Sequence, residues 1–330
     1  MKPKANPYLK FRLVTAASIA ALSFQLSAAD RIKQNNTTNL NLAGSWDVLP
    51  TAADVAIWNN TVTGANSVAL GGDISWAGIN IINPGGLVTI GTAATNTLTL
   101  GASGINLSSA TQNLLINSSL TAGTAQTWQV AGGRTLHIQS INTNTRLSGS
   151  SNITLSRSSG TGNAIFDLRP GANGSTAFTD QFGFFNYAGS WTINADTVVR
   201  TLRNGRNAWG SGSINLNGGT IGQHQNFSGT WTNNIVLQES SNSTIDDFNT
   251  SGTRSLKLQG VISGTGNLTI AETNATVSYA VSGGVIMTGA NTLSGQLTVG
   301  PNAVLRVGGV AGDSASTDAG GSGSLGTATL

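Results

Sequence analysis

Cleaving a glycosidic bond takes two carboxyl groups about 5–9.5 Å apart across it, and Asp246-Asp247 is the only adjacent acidic pair in the chain. Neighbours on a strand point to opposite faces, so this pair does not converge by itself. Its surroundings, Ser-Thr-Ile-Asp-Asp-Phe-Asn-Thr-Ser-Gly, read as a polar turn. Asp167 and Asp196 have no partner visible in the sequence. A metal centre needs clustered ligands. There are two histidines, His137 and His224, far apart, and no cysteine. His137 alternates with Leu136 and Ile138, which places it on the outer, polar side of a strand; His224 lies in a Gln-His-Gln turn. A serine nucleophile needs a base beside it. Gly149-Ser-Ser-Asn-Ile153 lacks the last glycine of the Gly-x-Ser-x-Gly elbow, and Gly210-Ser-Gly-Ser fails it as well. Gly321-Ser-Gly-Ser-Leu-Gly326 fits Gly-x-Gly-x-x-Gly, but that motif needs a strand before it and a helix after it, and the flanks read as a turn. Gly71-Gly-Asp73 is one short echo of a calcium-binding repeat, too little to build a site. The expectation is a protein with no catalysis, no bound metal and no cofactor.

Two groups of residues point instead to contact. Phe178, Phe182, Phe184, Phe185 and Tyr187 crowd five aromatics into ten residues. They fit a loop folded over the side of the molecule or an exposed aromatic patch. Arg200, Arg203 and Arg206 form the densest basic group. They suit a polyanion, or solvation and pairing with Asp196. Trp209 joins the same surface. The candidate contacts for a glycan or another surface are therefore Phe182, Phe184, Phe185, Tyr187, Arg200, Arg203, Arg206 and Trp209.

Positioning these groups falls to strands. Charged residues make up 9% of the chain and glycine 43 of its 330 residues, which suits many short strands joined by tight turns. Short runs with apolar residues at alternate positions recur, among them Leu87-Val-Thr-Ile90, Thr135-Leu-His-Ile138, Ser213-Ile-Asn-Leu216 and Asn267-Leu-Thr-Ile270. Such runs bury one face. No sustained helical period is present after the leader.

The leader spans residues 1–29. Lys2, Lys4, Lys10 and Arg12 precede an apolar run from Leu13 to Leu26, and Ser27-Ala28-Ala29 offers small residues for cleavage. This is a secretory signal peptide, cut near Ala29. The run is too short for a membrane span of about 20 residues. Without the leader's four basic groups, the net charge of +3 becomes twelve basic against thirteen acidic side chains. Nothing then favours a nucleic-acid partner.

The chain also echoes itself. Leu147-Ser-Gly-Ser-Ser-Asn-Ile-Thr-Leu155 returns as Ile262-Ser-Gly-Thr-Gly-Asn-Leu-Thr-Ile270, and Arg134-Thr-Leu-His-Ile-Gln139 as Arg254-Ser-Leu-Lys-Leu-Gln259. Gly189-Ser-Trp191-Thr and Gly229-Thr-Trp231-Thr suggest coils of about 20 residues, about 15 of them, stacked into a rod on the order of 70 Å long. The two echo copies should then sit in like surroundings. Asparagine and threonine should form ladders between coils. Trp128, Trp191 and Trp231 would fill gaps or cover faces. The expected order is a polar lead-in and N-terminal cap over 30–82, with Trp46, Trp58 and Trp76 in the cap; coils over 83–310; and a Gly/Ser-rich loop with the start of another coil over 311–330.

Gly260-Val-Ile-Ser-Gly-Thr-Gly-Asn-Leu-Thr-Ile270, Met287-Thr-Gly-Ala-Asn-Thr-Leu-Ser-Gly-Gln-Leu-Thr-Val-Gly300 and Ala303-Val-Leu-Arg-Val-Gly308 resemble the autotransporter-associated β-strand repeat, also called the passenger-associated transport repeat. About 50 residues match, with a degenerate copy near 132–155, and Leu293 stands where the pattern has an aromatic. The resemblance implies an all-β fold, a right-handed parallel β-helix, exported to the surface of a Gram-negative bacterium. Membrane association would come only through an anchor or barrel supplied beyond Thr327-Ala-Thr-Leu330. The function it implies is a non-enzymatic scaffold or adhesin whose partners are glycans or other cell-surface components. The alternatives are a polysaccharide-active β-helix enzyme, and a structural stalk for a separate head.

Overall fold

The computed structural model describes residues 28–92, 96–139, 147–169, 186–202, 209–224, 228–248, 255–273, 284–308, 325 and 327–329. Residues 1–27 of the leader lie outside them. The described chain is a β-solenoid: its strand ladders are parallel, and its one helical piece is a 3₁₀ turn, Ala43–Ser45.

Each turn of the solenoid visits three faces in the same order. The third face is a ten-stranded sheet that runs from Asn66–Val68 to Leu297–Val299. The second face holds Asp30–Ile32, Val55–Trp58 and the later parts of Ile74–Ile81 and Thr97–Leu107. It continues through Gln126–Val130, Ile153–Arg157, Trp191–Asn194, Ile214–Asn217, Ile235–Leu237, Ile262–Gly264 and Thr292–Leu293. The first face begins with the early parts of the two long strands, followed by Ser119–Ala122, Leu147–Gly149 and Asn186–Tyr187. It resumes as the four-stranded sheet Gly229–Trp231, Ser255–Leu258, Gly284–Met287 and Leu305–Val307.

Strands on the third face begin 21 to 33 residues apart. A turn is therefore longer than the expected 20 residues, and the ten strands make nine intervals instead of about 15 coils. At about 4.8 Å per interval the described rod is about 43 Å long. The 40-residue separation of Trp191 and Trp231 does not measure whole turns, because Trp191 starts a strand of the second face and Trp231 ends one of the first.

Burial follows the alternation. On the third face Val88, Leu114, Leu136, Phe166, Val199, Ile221, Ile245 and Ile270 stack in register, all buried. Each such side chain contributes roughly 1.5–3 kcal/mol by leaving water. The tryptophans lie inside as well. Trp46 closes the N-terminal end over Trp58 and Trp76, edge to face, with ring centroids 5.3 and 5.4 Å away. A second chain, Trp128, Trp191, Trp209 and Trp231, runs through the core at centroid distances of 6.0, 5.9 and 5.4 Å.

The polar lead-in takes part in the ladder from its first strand. Asp30–Ile32 pairs with Val55–Trp58 as the edge strand. Lys33 is fully buried there, its Nζ donating to the carbonyls of Gln34 and Asn36 at 2.8 Å and to Asn36 Oδ1 at 3.0 Å. Burial lowers its pKa to about 8.

The echoed segments share a local shape but not a place. Leu147–Gly149 lies on the first face and Ile153–Arg157 on the second; Ile262–Gly264 lies on the second and Asn267–Ala271 on the third. Like surroundings are thus contradicted, while the stacked architecture stands. What repeats is one strand, one sharp corner and the next strand, a unit that serves at more than one corner. Gly149 and Gly264 end the first strand of each copy at φ 110° and 108°, and a Cβ on Gly264 would fall 2.1 Å from the Leu237 carbonyl oxygen. Only glycine suits both demands.

The asparagine ladders form in part. Asn217 donates to Asn194 at 3.0 Å, and Asn267 to Asn242 at 2.8 Å, each pair one turn apart. Other asparagines accept a backbone N–H of another turn, as Asn291 does from Ile262 at 2.8 Å and Asn113 from Thr135 at 3.0 Å.

Candidate functional site

The outer side of the third face carries the main charged arrangement of the described residues. Ser67, Thr89, Leu115, His137, Asp167, Arg200, Gly222 and Asp246 occupy one column, each in register with the next. Outward alternation puts these positions on one side, and parallel stacking brings residues 22 to 33 apart in sequence to adjacent turns. Asp167 is the centre. Arg200 grips it with two bonds, Nε to Oδ1 at 2.7 Å and Nη2 to Oδ2 at 3.0 Å. His137 Nδ1 stands 3.0 Å from Oδ2. The Asp167 side chain is 0% exposed, against 18% for His137 and 25% for Arg200. Burial alone would raise its pKa. The neighbouring His137 ring and the charged, doubly bonded Arg200 guanidinium outweigh that and hold the carboxyl well below the usual range.

Sequence reasoning left Asp167 and Asp196 without partners, and both have them. Asp196 is bound by Arg157 Nη2 at 2.6 Å. Arg200 pairs with Asp167, not with Asp196. The signal was the spacing: His137, Asp167 and Arg200 sit 30 and 33 residues apart, each near one turn, but the turn length was unknown until the strands were placed.

Farther along the column, Asp246 is buried together with Asp247, which corrects the polar-turn reading of this pair. The two do lie on opposite sides of the strand, as alternation requires. Thr273 N–H donates to Asp246 Oδ1 at 3.3 Å. Burial raises the Asp246 pKa, and bonding to Thr273 only partly offsets it. On the inward side, the register Ile138, Leu168, Thr201, Gln223 changes from apolar to polar. Asp247 and Glu272 continue it, one turn apart and both buried. Acidic side chains thus follow one another on consecutive turns here, with almost no open surface. No three His, Cys, Asp or Glu there form a metal-holding group.

The proposed contact residues fare unevenly. Tyr187 and Trp209 are fully buried, so neither forms an outer contact. Tyr187 donates to the Ser151 carbonyl at 2.6 Å and packs 4.8 Å from Trp191. Their positions on the first face point inward, and sequence proximity to other aromatics did not reveal that. Arg200 is on the outer side but held by Asp167. Phe182, Phe184, Phe185, Arg203 and Arg206 lie outside the described residues, as does Phe178. His137 is on the outer side, and His224 ends the strand Thr220–His224.

The strands also set the corners unequally. Three or four residues join the first face to the second, and two to seven join the second to the third. From the third face to the first, connections reach seven, eight, twelve and sixteen residues. The longest lies between Ala164–Arg169 and Asn186–Tyr187.

Fold and surface together define the class of parallel β-solenoids. No protein family, curated protein or solved structure matches the chain.

Proposed function

We propose that this chain is an exported, surface-exposed passenger of the autotransporter-associated repeat type, acting as a non-enzymatic scaffold or adhesin in a Gram-negative bacterium. The observation that carries this reading is the inequality of the corners. Two corners keep to connections of two to seven residues, and the connections of eight, twelve and sixteen residues all fall at the third. In repeat architectures, insertions gathered on one side mark the side that meets a partner. The paired charges of the rod add support: Asp167 and Asp196 serve neighbouring turns, which suits a scaffold. The leader and the repeat-like segment near 260–308 support export and surface display.

The test is expression of the whole chain with its leader in a Gram-negative host. The mature protein should begin near Asp30 by N-terminal sequencing. Antibody against the rod should label intact cells that carry the natural downstream sequence, and purified protein should bind host or bacterial cells. An uncleaved cytoplasmic product, or a rod that binds no cell and no polysaccharide, would refute the reading.

A further inference from the structure

An asparagine followed by glycine is the pair most open to deamidation, because no side chain crowds the glycine nitrogen as it attacks the asparagine carboxamide. The chain holds three such pairs, and Asn217–Gly218 is the one within the described residues. It ends the second-face strand Ile214–Asn217 and begins the short corner to Thr220–His224. Asn217 is exposed, and Gly218 takes φ 86°. Neither feature shields the pair.

The neighbouring turns do. Asn217 Nδ2 donates to Asn194 Oδ1, on the preceding turn, at 3.0 Å. Gly218 N–H donates to Ser243 Oγ, on the following turn, at 3.1 Å. The carboxamide to be attacked is thus drawn one way along the rod and the attacking nitrogen the other way. Ser243 is only 1% exposed, so water does not readily take the place of its hydroxyl. Asn267 gives the contrast. It makes the same ladder bond, to Asn242 at 2.8 Å, but Leu268 follows it and a leucine side chain crowds the next nitrogen.

We propose that Asn217 is a deamidation site kept silent by the stacking of three turns and released when this corner opens. On opening, the Gly218 nitrogen gives its proton to solvent and bonds to Asn217 Cγ. The Cγ–Nδ2 bond breaks, and the nitrogen leaves as ammonia. Water then opens the succinimide ring at either carbonyl, giving aspartate or isoaspartate at position 217. Aspartate can no longer donate to Asn194. Isoaspartate lengthens the main chain by one carbon at the strand end, so the corner cannot return to its register. Opening of these turns is therefore recorded covalently. The inference is independent of what the rod contacts.

The test is site-resolved mass spectrometry of the whole protein held at mildly alkaline pH, reading the deamidation mass gain and the isoaspartate backbone at residue 217. Folded wild type should react at least about tenfold more slowly than the chain unfolded in guanidinium chloride, the equivalent of about 1.4 kcal/mol of local opening. Ser243→Ala and Asn194→Ala each remove one acceptor, and both should speed the reaction severalfold in the folded protein. Asn194→Asp keeps an acceptor oxygen and should stay near wild type. Melting curves establish that the variants fold. Where Ser243→Ala does not, hydrogen exchange of the Gly218 N–H in wild type takes its place, and exchange as fast as in the unfolded chain overturns the proposal. Equal deamidation of folded and unfolded wild type, or unchanged rates in both alanine variants, overturns it as well.

Discussion

The second and third faces are built from the same kind of strand, yet their outer sides use polar groups differently. On the third face, His137, Asp167 and Arg200 turn toward one another and bind three consecutive turns. On the second, Thr127, Thr154, Thr192 and Asn215 stand side by side and leave their polar groups to solvent or a partner. Stacking thus yields two outcomes from one geometry. Opposite charges in register satisfy each other and become part of the rod, as do the stacked asparagines Asn194 and Asn217, whereas the threonines of this second-face row do not and remain a surface.

The widest separation between the faces should appear in stability. Asp167→Ala leaves the Arg200 guanidinium beside a buried gap and should cost about 3–5 kcal/mol, the usual penalty for removing one partner of a buried pair. Thr154→Ala on the second face should stay within about 0.5 kcal/mol. Urea unfolding of the two variants checks this, and equal losses would erase the distinction.

Inside the rod, Trp191 and Trp209 allow a second comparison. Trp191 Nε1 donates to the Trp209 carbonyl at 2.8 Å, while Trp209 Nε1 is buried with no partner among the described residues. Replacing either by Phe opens a similar space. Trp191→Phe also strands a carbonyl, so it should destabilise by about 1–2 kcal/mol more than Trp209→Phe. Paired denaturation curves would show the difference, and the reverse order would mean that the core relaxes around one site more than the other.

The smallest effect should be a difference in pH response along the charged column. Asp167 has a lowered pKa when folded, so it stabilises fully above the unfolded carboxylate value near ~3.9 and loses that contribution as pH falls below it. Asp246 has a raised pKa, so the folded state binds its proton more tightly and stability falls as pH rises through and above that same value. Melting temperatures from acid to neutral pH should therefore lose their acid-side drop in Asp167→Asn. Asp246→Asn should instead gain relative to wild type as pH rises. Parallel profiles for the two variants would contradict both assignments.

Much of the fold was legible in the chain. Alternation in Thr135-Leu-His-Ile138 and its many counterparts gave strands with one buried side, and the echoes gave stacking. The coil length was not legible. Connections of two to sixteen residues at one corner blur any fixed period, and the strand–corner–strand unit recurs at different corners. The contact residues were the least legible. Tyr187 read as a surface aromatic because it sits beside a run of phenylalanines, and Trp209 because it follows the arginine group, whereas both are buried in the core.

The sequence alone determined that short, half-buried strands would stack, because side-chain alternation and glycine at sharp turns are local properties of neighbouring residues. Only the tertiary structure decided which residues meet. A parallel ladder joins positions one turn apart, and the length of that turn is set by corners whose size no local rule fixes. The Asp167 knot and the open row on the second face both arise from that register, which exists only once the turns lie on one another.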